Sequence, residues 1–233
     1  MRELKISGIV SVLALFAACT SVSVPATVQD ELSLFDGSTL NGWKVTEENP
    51  GSFRVEDGAI IAEGPRAHLF YDGEHGKSFE DFELSLQVKT MPGANSGVYF
   101  HTRYQLDDWP RHGLEAQVNA TQQDFRKTGS IYAIADLRVY ATEQEVPALG
   151  VDNNAYITRD VAPHTDDEWF EYVIRVEDGV VSTRVNGRLL VQWAQPEDWP
   201  DAERRLGAGT FGLQAHDPGS KVYYKDIKVL VLD

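Results

Sequence analysis

Glu115, Gln117 and Asn119 alternate along the chain with Leu114, Ala116 and Val118. A period of two places the three polar side chains on one face of a strand and the three apolar ones on the other. Just upstream, Tyr99, His101 and Arg103 alternate in the same way with Val98, Phe100 and Thr102. Near the C-terminus, Gln214 and His216 alternate with Phe211, Leu213 and Ala215, and Asp217 follows. One sheet face with a carboxylate, an imidazole, a guanidinium, a phenol and amides offers acid, base and hydrogen-bonding groups together. A merely solvated face needs only Thr, Ser and Lys. Glu115 is a candidate base, given partial burial to raise its pKa. His216 is a candidate acid or base, or a metal ligand, with Asp217 placed to orient it or to ligate. Against these stand a solvated strand carboxylate at Glu115 and a simple Asp217-Pro218-Gly219 turn.

The elements that must position these residues are strands. Phe82, Leu84, Leu86 and Val88 alternate with Glu83, Ser85, Gln87 and Lys89, which predicts a strand with one buried face. Asp57-Gly58, Asp178-Gly179 and Asn186-Gly187 each separate two strand-like runs, a hairpin signature. The last two link three strands from Trp169 onward into a meander. Further strands are expected at His68–Asp72, Gly129–Ile134, Ala155–Arg159, Thr210–His216 and Val222–Leu232. Asp136 to Asp167 otherwise reads as a long irregular excursion, and Gln195 to Arg205 as at most a short helix. There is no long amphipathic helix, phosphate-binding glycine motif or internal repeat. About ten to twelve short strands with turns at this spacing predict an all-β, two-sheet sandwich or jelly roll.

The 233 residues suit one such domain, expected over residues 32–233. The formal charge of -15 repels nucleic acid and anionic lipid, so a neutral or cationic small ligand is expected. Residues 1–18 read as a signal peptide: Arg2 and Lys5 precede an apolar run from Ile9 to Ala18. That run is too short for a permanent membrane span. It ends in Phe16-Ala17-Ala18-Cys19, small residues before a Cys, which resembles a bacterial lipoprotein signal with Phe16 in place of the usual Leu. Cys19 is the single cysteine. It is the expected lipidation site, with residues 19–31 as a tether, and it leaves no thiol for catalysis. The expected location is the bacterial envelope, facing the periplasm, with the membrane contacted through the lipid. Protein partners are not specified by the sequence.

Several segments together carry a family resemblance. They are Leu34-Phe35-Asp36-Gly37-Ser38-Thr39-Leu40-Asn41-Gly42-Trp43, Phe53-Arg54-Val55-Glu56-Asp57-Gly58 and Gly93-Ala94-Asn95-Ser96-Gly97-Val98-Tyr99-Phe100. Gly113-Leu114-Glu115-Ala116-Gln117-Val118, Lys127-Thr128-Gly129-Ser130-Ile131-Tyr132 and Gly212-Leu213-Gln214-Ala215-His216-Asp217 continue it. In this order they resemble the 3-keto-disaccharide hydrolase domain family over about residues 32–232. Asn119 stands where the family more often carries Asp. The resemblance implies a concanavalin A-like jelly roll and action on sugars oxidised at C3.

A C3 ketone acidifies the C2 hydrogen. A base can remove it, and the resulting enolate can expel the C1 substituent. On that reading Glu115, His216 and Asp217 are the catalytic candidates. Arg103, His101, Gln117, Asn119, Lys127, Tyr132, Trp109 and Gln214 are the substrate-binding candidates, with Trp109 on a loop suited to stacking on a sugar face. The sequence leaves the cofactor unknown. A divalent metal held by His101, Glu115, His216 and Asp217 would steady the keto and enolate oxygens. The rival readings are a non-catalytic carbohydrate-binding module and a structural envelope lipoprotein.

Overall fold

The computed structural model describes residues 31–73, 75–76, 78–140, 155–158 and 162–232. Cys19 and the leader lie outside the described residues. Fifteen strands form among those described. Seven of them, with a short addition, make one antiparallel sheet. Its middle is β6 (Phe82–Thr90) paired with the long β15 (Lys221–Val231). Outward from β6 lie β11 (Phe170–Glu177), β12 (Val180–Val185) and β13 (Arg188–Ala194). Outward from β15 lie β4 (Ala59–Glu63) and β3 (Phe53–Glu56), and β1 (Leu32–Ser33) also pairs with β15. The second sheet runs β2 (Trp43–Val45), β5 (Ala67–Tyr71), β14 (Thr210–Ala215), β7 (Asn95–Thr102), β8 (Leu114–Asn119). β9 (Leu137–Tyr140) and β10 (Ala155–Thr158) pair separately in parallel.

The alternating pattern is realised as a sandwich. Phe82, Leu84, Leu86 and Val88 of β6 and Phe170, Tyr172 and Ile174 of β11 are buried. They share one core with Val98, Phe100, Leu114, Ala116, Val118, Phe211, Leu213 and Ala215 of the other sheet. Phe82 meets Phe100 and Phe211 across the interface at ring-centroid distances of 6.1 and 4.9 Å. The three hairpin turns hold their two central residues at positive φ: 49° and 77° at Asp57-Gly58, 51° and 73° at Asp178-Gly179, 48° and 76° at Asn186-Gly187. That twist matches the twist of the flanking strands, which is why Asp-Gly and Asn-Gly fit there.

The fold departs from the expected elements in two places: β9 forms inside the stretch 136–167 that was expected to be irregular, and one expected strand is absent. Residues 129–134 do not form a strand. The segment makes local turns, Ser130 N–H to Lys127 O at 3.1 Å and Ala135 N–H to Ile131 O at 2.9 Å, with Ala133 at φ 60°. It touches the β8 edge through one isolated bridge, Ile131 with Ala116, and three bonds: Gln117 N–H to Ser130 O and Tyr132 N–H to Glu115 O, each 2.9 Å, and Gly129 N–H to Gln117 O at 3.3 Å. Its apolar residues are satisfied by burial over that edge, which also closes the edge to other chains. Residues 195–205 contain no helix; Pro196 and Pro200 break the segment into turns.

Candidate active site

The outer face of the five-stranded sheet carries the polar residues. Register puts Glu115 opposite Tyr99, Tyr99 opposite Gly212, and Gln214 opposite His68. A cleft of about 280 Å³ opens over this face. Glu115, Gln117, Tyr99, Gln214, His216, Trp109 and Tyr132 line it, together with Asn95, Asp124 and Arg204.

Glu115 is only 8% exposed although its strand turns it away from the core. The Tyr99 hydroxyl donates to its Oε2 at 2.8 Å, and the Gln214 amide donates to its Oε1 at 3.0 Å and to the Tyr99 oxygen at 2.9 Å. Burial pushes the Glu115 carboxyl up to about 7; the Tyr99 hydrogen bond, the Arg204 charge and Gln214 each pull it partly back. Burial also pushes the Tyr99 phenol well above its ordinary value, so it stays a donor. Space for the carboxylate exists because residue 97 is glycine. A Cβ there would lie 2.7 Å from Glu115 Cγ and 2.8 Å from Cδ.

His216 stands at the other side. Its Nδ1–H donates to Asp217 Oδ2 at 2.7 Å, which leaves Nε2 free of that bond. Burial works against the Asp217 charge, but the bonds from His216, Ser220 and the Gly219 N–H hold its carboxyl below the ordinary range. The Ser220 hydroxyl donates to Asp217 at 2.8 Å and accepts from the Asn95 N–H at 2.8 Å. Asn95 Oδ1 in turn accepts from the Gln117 amide at 2.5 Å. Asp217 therefore ties His216 to the far wall of the cleft without lining it. Gln117 Oε1 and Gln214 Oε1 are buried without a partner, two acceptors suited to ligand hydroxyls.

Arg204 supplies the guanidinium. It donates to the Tyr132 carbonyl at 3.0 Å and lies 5.9 Å from the Tyr132 ring. Its loop is fixed by Asp201 Oδ1, which accepts the Arg204 N–H at 2.8 Å, and by the Trp199 indole donating to the Arg204 carbonyl at 2.8 Å.

Four expected substrate contacts fall elsewhere. His101 sits in a bulge of β7, where its pairing with β14 slips, at φ 52°. The bulge turns the ring off the cleft: Nε2–H donates to Glu80 O at 2.8 Å, and Nδ1 accepts the Gly207 N–H at 3.0 Å. Arg103, beyond the bulge, bonds to His112 in a separate hollow bordered by Glu203 and Arg205. Asn119 donates to the carbonyls of Asp124 and Arg126 at 3.1 and 2.9 Å, which braces the loop after β8. The Lys127 ammonium is buried and donates to the Gln122 and Asp124 carbonyls, each at 2.8 Å. With His101 turned away, the four-residue metal set does not assemble. Among the described residues no three His, Cys, Asp or Glu side chains could hold a metal ion together.

Arg204, Asn95 and Asp124 were not among the sequence candidates. Arg204 lies in an acidic, Pro-broken loop without periodicity. Asn95 opens a strand after a glycine turn. Only Asn95 carried a signal, through its place one residue before the Ser96-Gly97 pair that precedes Tyr99.

A protein called 3-keto-disaccharide hydrolase from Bacteroides thetaiotaomicron is 26% identical over 257 residues, covering 93% of this chain and 83% of the relative. A crystal structure from Parabacteroides distasonis, of a candidate glycosyl hydrolase, superimposes with a TM-score of 0.59 at 22% identity, covering 87% of this chain and 94% of that one. A carbohydrate-binding module from Bacillus subtilis, CBM66, gives 0.52 at 12% identity, covering 83% and 98%. These two share the sandwich fold. Residues 30–230 match the family described as the 3-keto-alpha-glucoside-1,2-lyase-like domain. The chain belongs to that family.

Proposed function

We propose that this chain is a carbohydrate-cleaving enzyme that acts on 3-keto-glycosides. The observation that carries the reading is Glu115: a buried carboxyl near 7, wired to Tyr99 and Gln214, at the floor of a sugar-sized cleft. A base poised near neutrality suits removal of the acidified C2 hydrogen. Glu115 takes that proton, and the C–H electron pair moves to the C3 oxygen as an enolate. The Arg204 guanidinium, lining the same cleft, offsets the new charge. The enolate then collapses, a C1=C2 double bond forms and the C1–O bond breaks. The leaving oxygen takes a proton from His216, whose imidazolium Asp217 supports. Release at that point makes the enzyme a lyase; addition of water across C1=C2, returning a proton to C2 and hydroxyl to C1, makes the net reaction hydrolysis. The name of the Bacteroides relative supports the substrate class, and the family description supports the 1,2-elimination.

The test is turnover of a 3-keto-disaccharide carrying deuterium at C2, followed by mass spectrometry. Sugar release with loss of the deuterium to solvent is expected. Release with full retention overturns the elimination, and no release across several linkages, with or without added divalent ions, overturns the activity. Glu115→Gln separates this from a binding module: it abolishes turnover while ligand affinity persists.

The chain is further proposed to be exported and lipid-anchored at Cys19, on the strength of the charged, apolar and small-residue order of residues 2–19. Cys19→Ser is expected to move the protein from the membrane to the soluble envelope fraction; unchanged membrane association refutes the anchor.

A further inference from the structure

His68 lies on the same outer sheet face as Gln214, one strand beyond it. It is fully buried, and neither Nδ1 nor Nε2 has a hydrogen-bond partner. A buried imidazole with both nitrogens unpaired is costly and calls for a reason. Its surroundings are aromatic. The Tyr99 ring stands edge-on at 5.4 Å, Phe70 lies at 6.2 Å, and Trp109 covers it edge-on at 5.7 Å.

Tyr99 and Phe70 are buried, and Trp109 is the exposed part of that cover. It is 39% exposed, and its ring also meets His216 at 5.3 Å. Trp109 and Tyr99 thus stand between His68 and the cleft that holds Glu115, and Trp109 is the exposed one of the two. The loop backbone under it is firm. The Gln105 amide donates to the carbonyls of Asp107 at 2.5 Å and Trp109 at 2.9 Å, and Arg66 pairs with Asp108 and Glu48 at 3.0 Å each. The Arg66 guanidinium also lies 5.1 Å from the indole centroid, so turning the side chain out breaks that contact while the bonds that hold the loop backbone can persist.

We infer that His68 is the polar anchor of a second sugar subsite, next to the Glu115 cleft, with Trp109 as its gate and stacking platform. The inference rests on the glycoside reading above and names the leaving group it would take: a second sugar ring. A neutral imidazole presents one donor and one acceptor, which matches a pair of adjacent ring hydroxyls. Burial holds His68 neutral, its pKa pushed down to about 3. The indole, once turned, offers its face to the apolar side of the ring.

The test compares a 3-keto-disaccharide with the one-ring methyl 3-keto-glucoside. His68→Phe keeps an aromatic ring and removes both nitrogens. It is expected to lower the kcat/KM ratio of two-ring over one-ring substrate about tenfold, the scale of one lost hydrogen bond with its partner left unpaired. An unchanged ratio overturns the inference. Nitrogen NMR of the wild-type histidines reads the subsite without turnover. The His68 signals are expected to shift on titration with a disaccharide, oxidised or not, and to stay in place with the methyl glycoside. Should no substrate be turned over, that titration still decides: a two-ring-specific shift upholds the subsite while the catalytic reading falls, and no shift at saturating disaccharide overturns the subsite. Trp109→Ala supplies a second variant: diethyl pyrocarbonate is expected to modify His68 there and to spare it in the parent, and equal protection in both refutes the gate.

Discussion

The Tyr99 hydroxyl donates to Glu115 Oε2 at 2.8 Å across two paired strands, and it does so inside a site that burial has made hostile to charge. The two effects oppose each other. Burial alone would hold Glu115 protonated and useless as a base at neutral pH; the phenol favours the carboxylate and brings the group back to about 7. Tyr99→Phe removes the donor and keeps the ring. The acidic limb of kcat/KM is expected to move upward by about one unit, since a hydrogen bond to a charged group is worth about 1.5–3 kcal/mol and one unit is about 1.4. A limb that stays in place, or moves down, means that Glu115 is not the titrating base.

Glu115 also makes stability depend on pH. Its folded value of about 7 lies above the ordinary 4.5, so the folded state binds the proton more tightly. The contribution is fully present below about 4.5 and is lost as pH rises through about 7. Glu115→Gln mimics the protonated form. The stability difference between the variant and the parent is expected to grow in the variant's favour by about 3 kcal/mol across that window. Urea unfolding at several pH values measures it, and a difference that does not change with pH contradicts the buried, raised carboxyl.

The strands and the inward faces were legible because alternation is a local property, and burial of one sheet face enforces it over β6, β7 and β8. Glu115, Gln117, Gln214 and His216 were legible for the same reason: a strand residue opposite an apolar neighbour can point only one way. His101 was not. A single residue at φ 52° breaks the alternation, and nothing about a histidine in sequence announces that conformation. Arg103 was lost with it, because it lies past the bulge. Arg204 reaches the cleft from a loop whose shape depends on Trp199 and Asp201, contacts without any period to read. The edge segment 129–134 carried strand-like residues, but its local turns limit it to one isolated bridge with β8, Ile131 with Ala116, so no strand propagates.

Gly97 makes the Glu115 position sterically possible. Its strand places it opposite Gln117, on the cleft face, where a methyl group would collide with the carboxylate stem. Gly97→Ala is expected to swing Glu115 out of reach of Tyr99 and Gln214 and to reduce kcat about as far as Glu115→Gln does. Gly97→Ala and Glu115→Ala act on one space, so their stability effects are expected not to add: Gly97→Ala destabilises the parent and costs little beside Glu115→Ala. Thermal unfolding of the double-mutant cycle tests this, and strict additivity refutes the shared space.

Asp217 acts through His216. Its carboxylate accepts the Nδ1–H at 2.7 Å, which fixes the ring and leaves Nε2 to hand its proton to the leaving oxygen. The same carboxylate holds Ser220, which holds the Asn95 backbone, so a loss of activity in Asp217→Asn has a purely structural explanation to exclude. The dependence on the leaving group excludes it. Asparagine keeps the shape and removes the charge, so kcat on a 3-keto-disaccharide is expected to fall about 100-fold, the scale of general acid catalysis, and to change little on a 3-keto-glycoside whose nitrophenolate leaving group needs no proton. Ser220→Ala removes one bond to Asp217 and the bond to Asn95 but keeps the His216 bond, and is expected to raise KM for both substrates alike. If Asp217→Asn lowers activity equally on both leaving groups, Asp217 is scaffolding and the proton to the leaving group comes from elsewhere in the cleft.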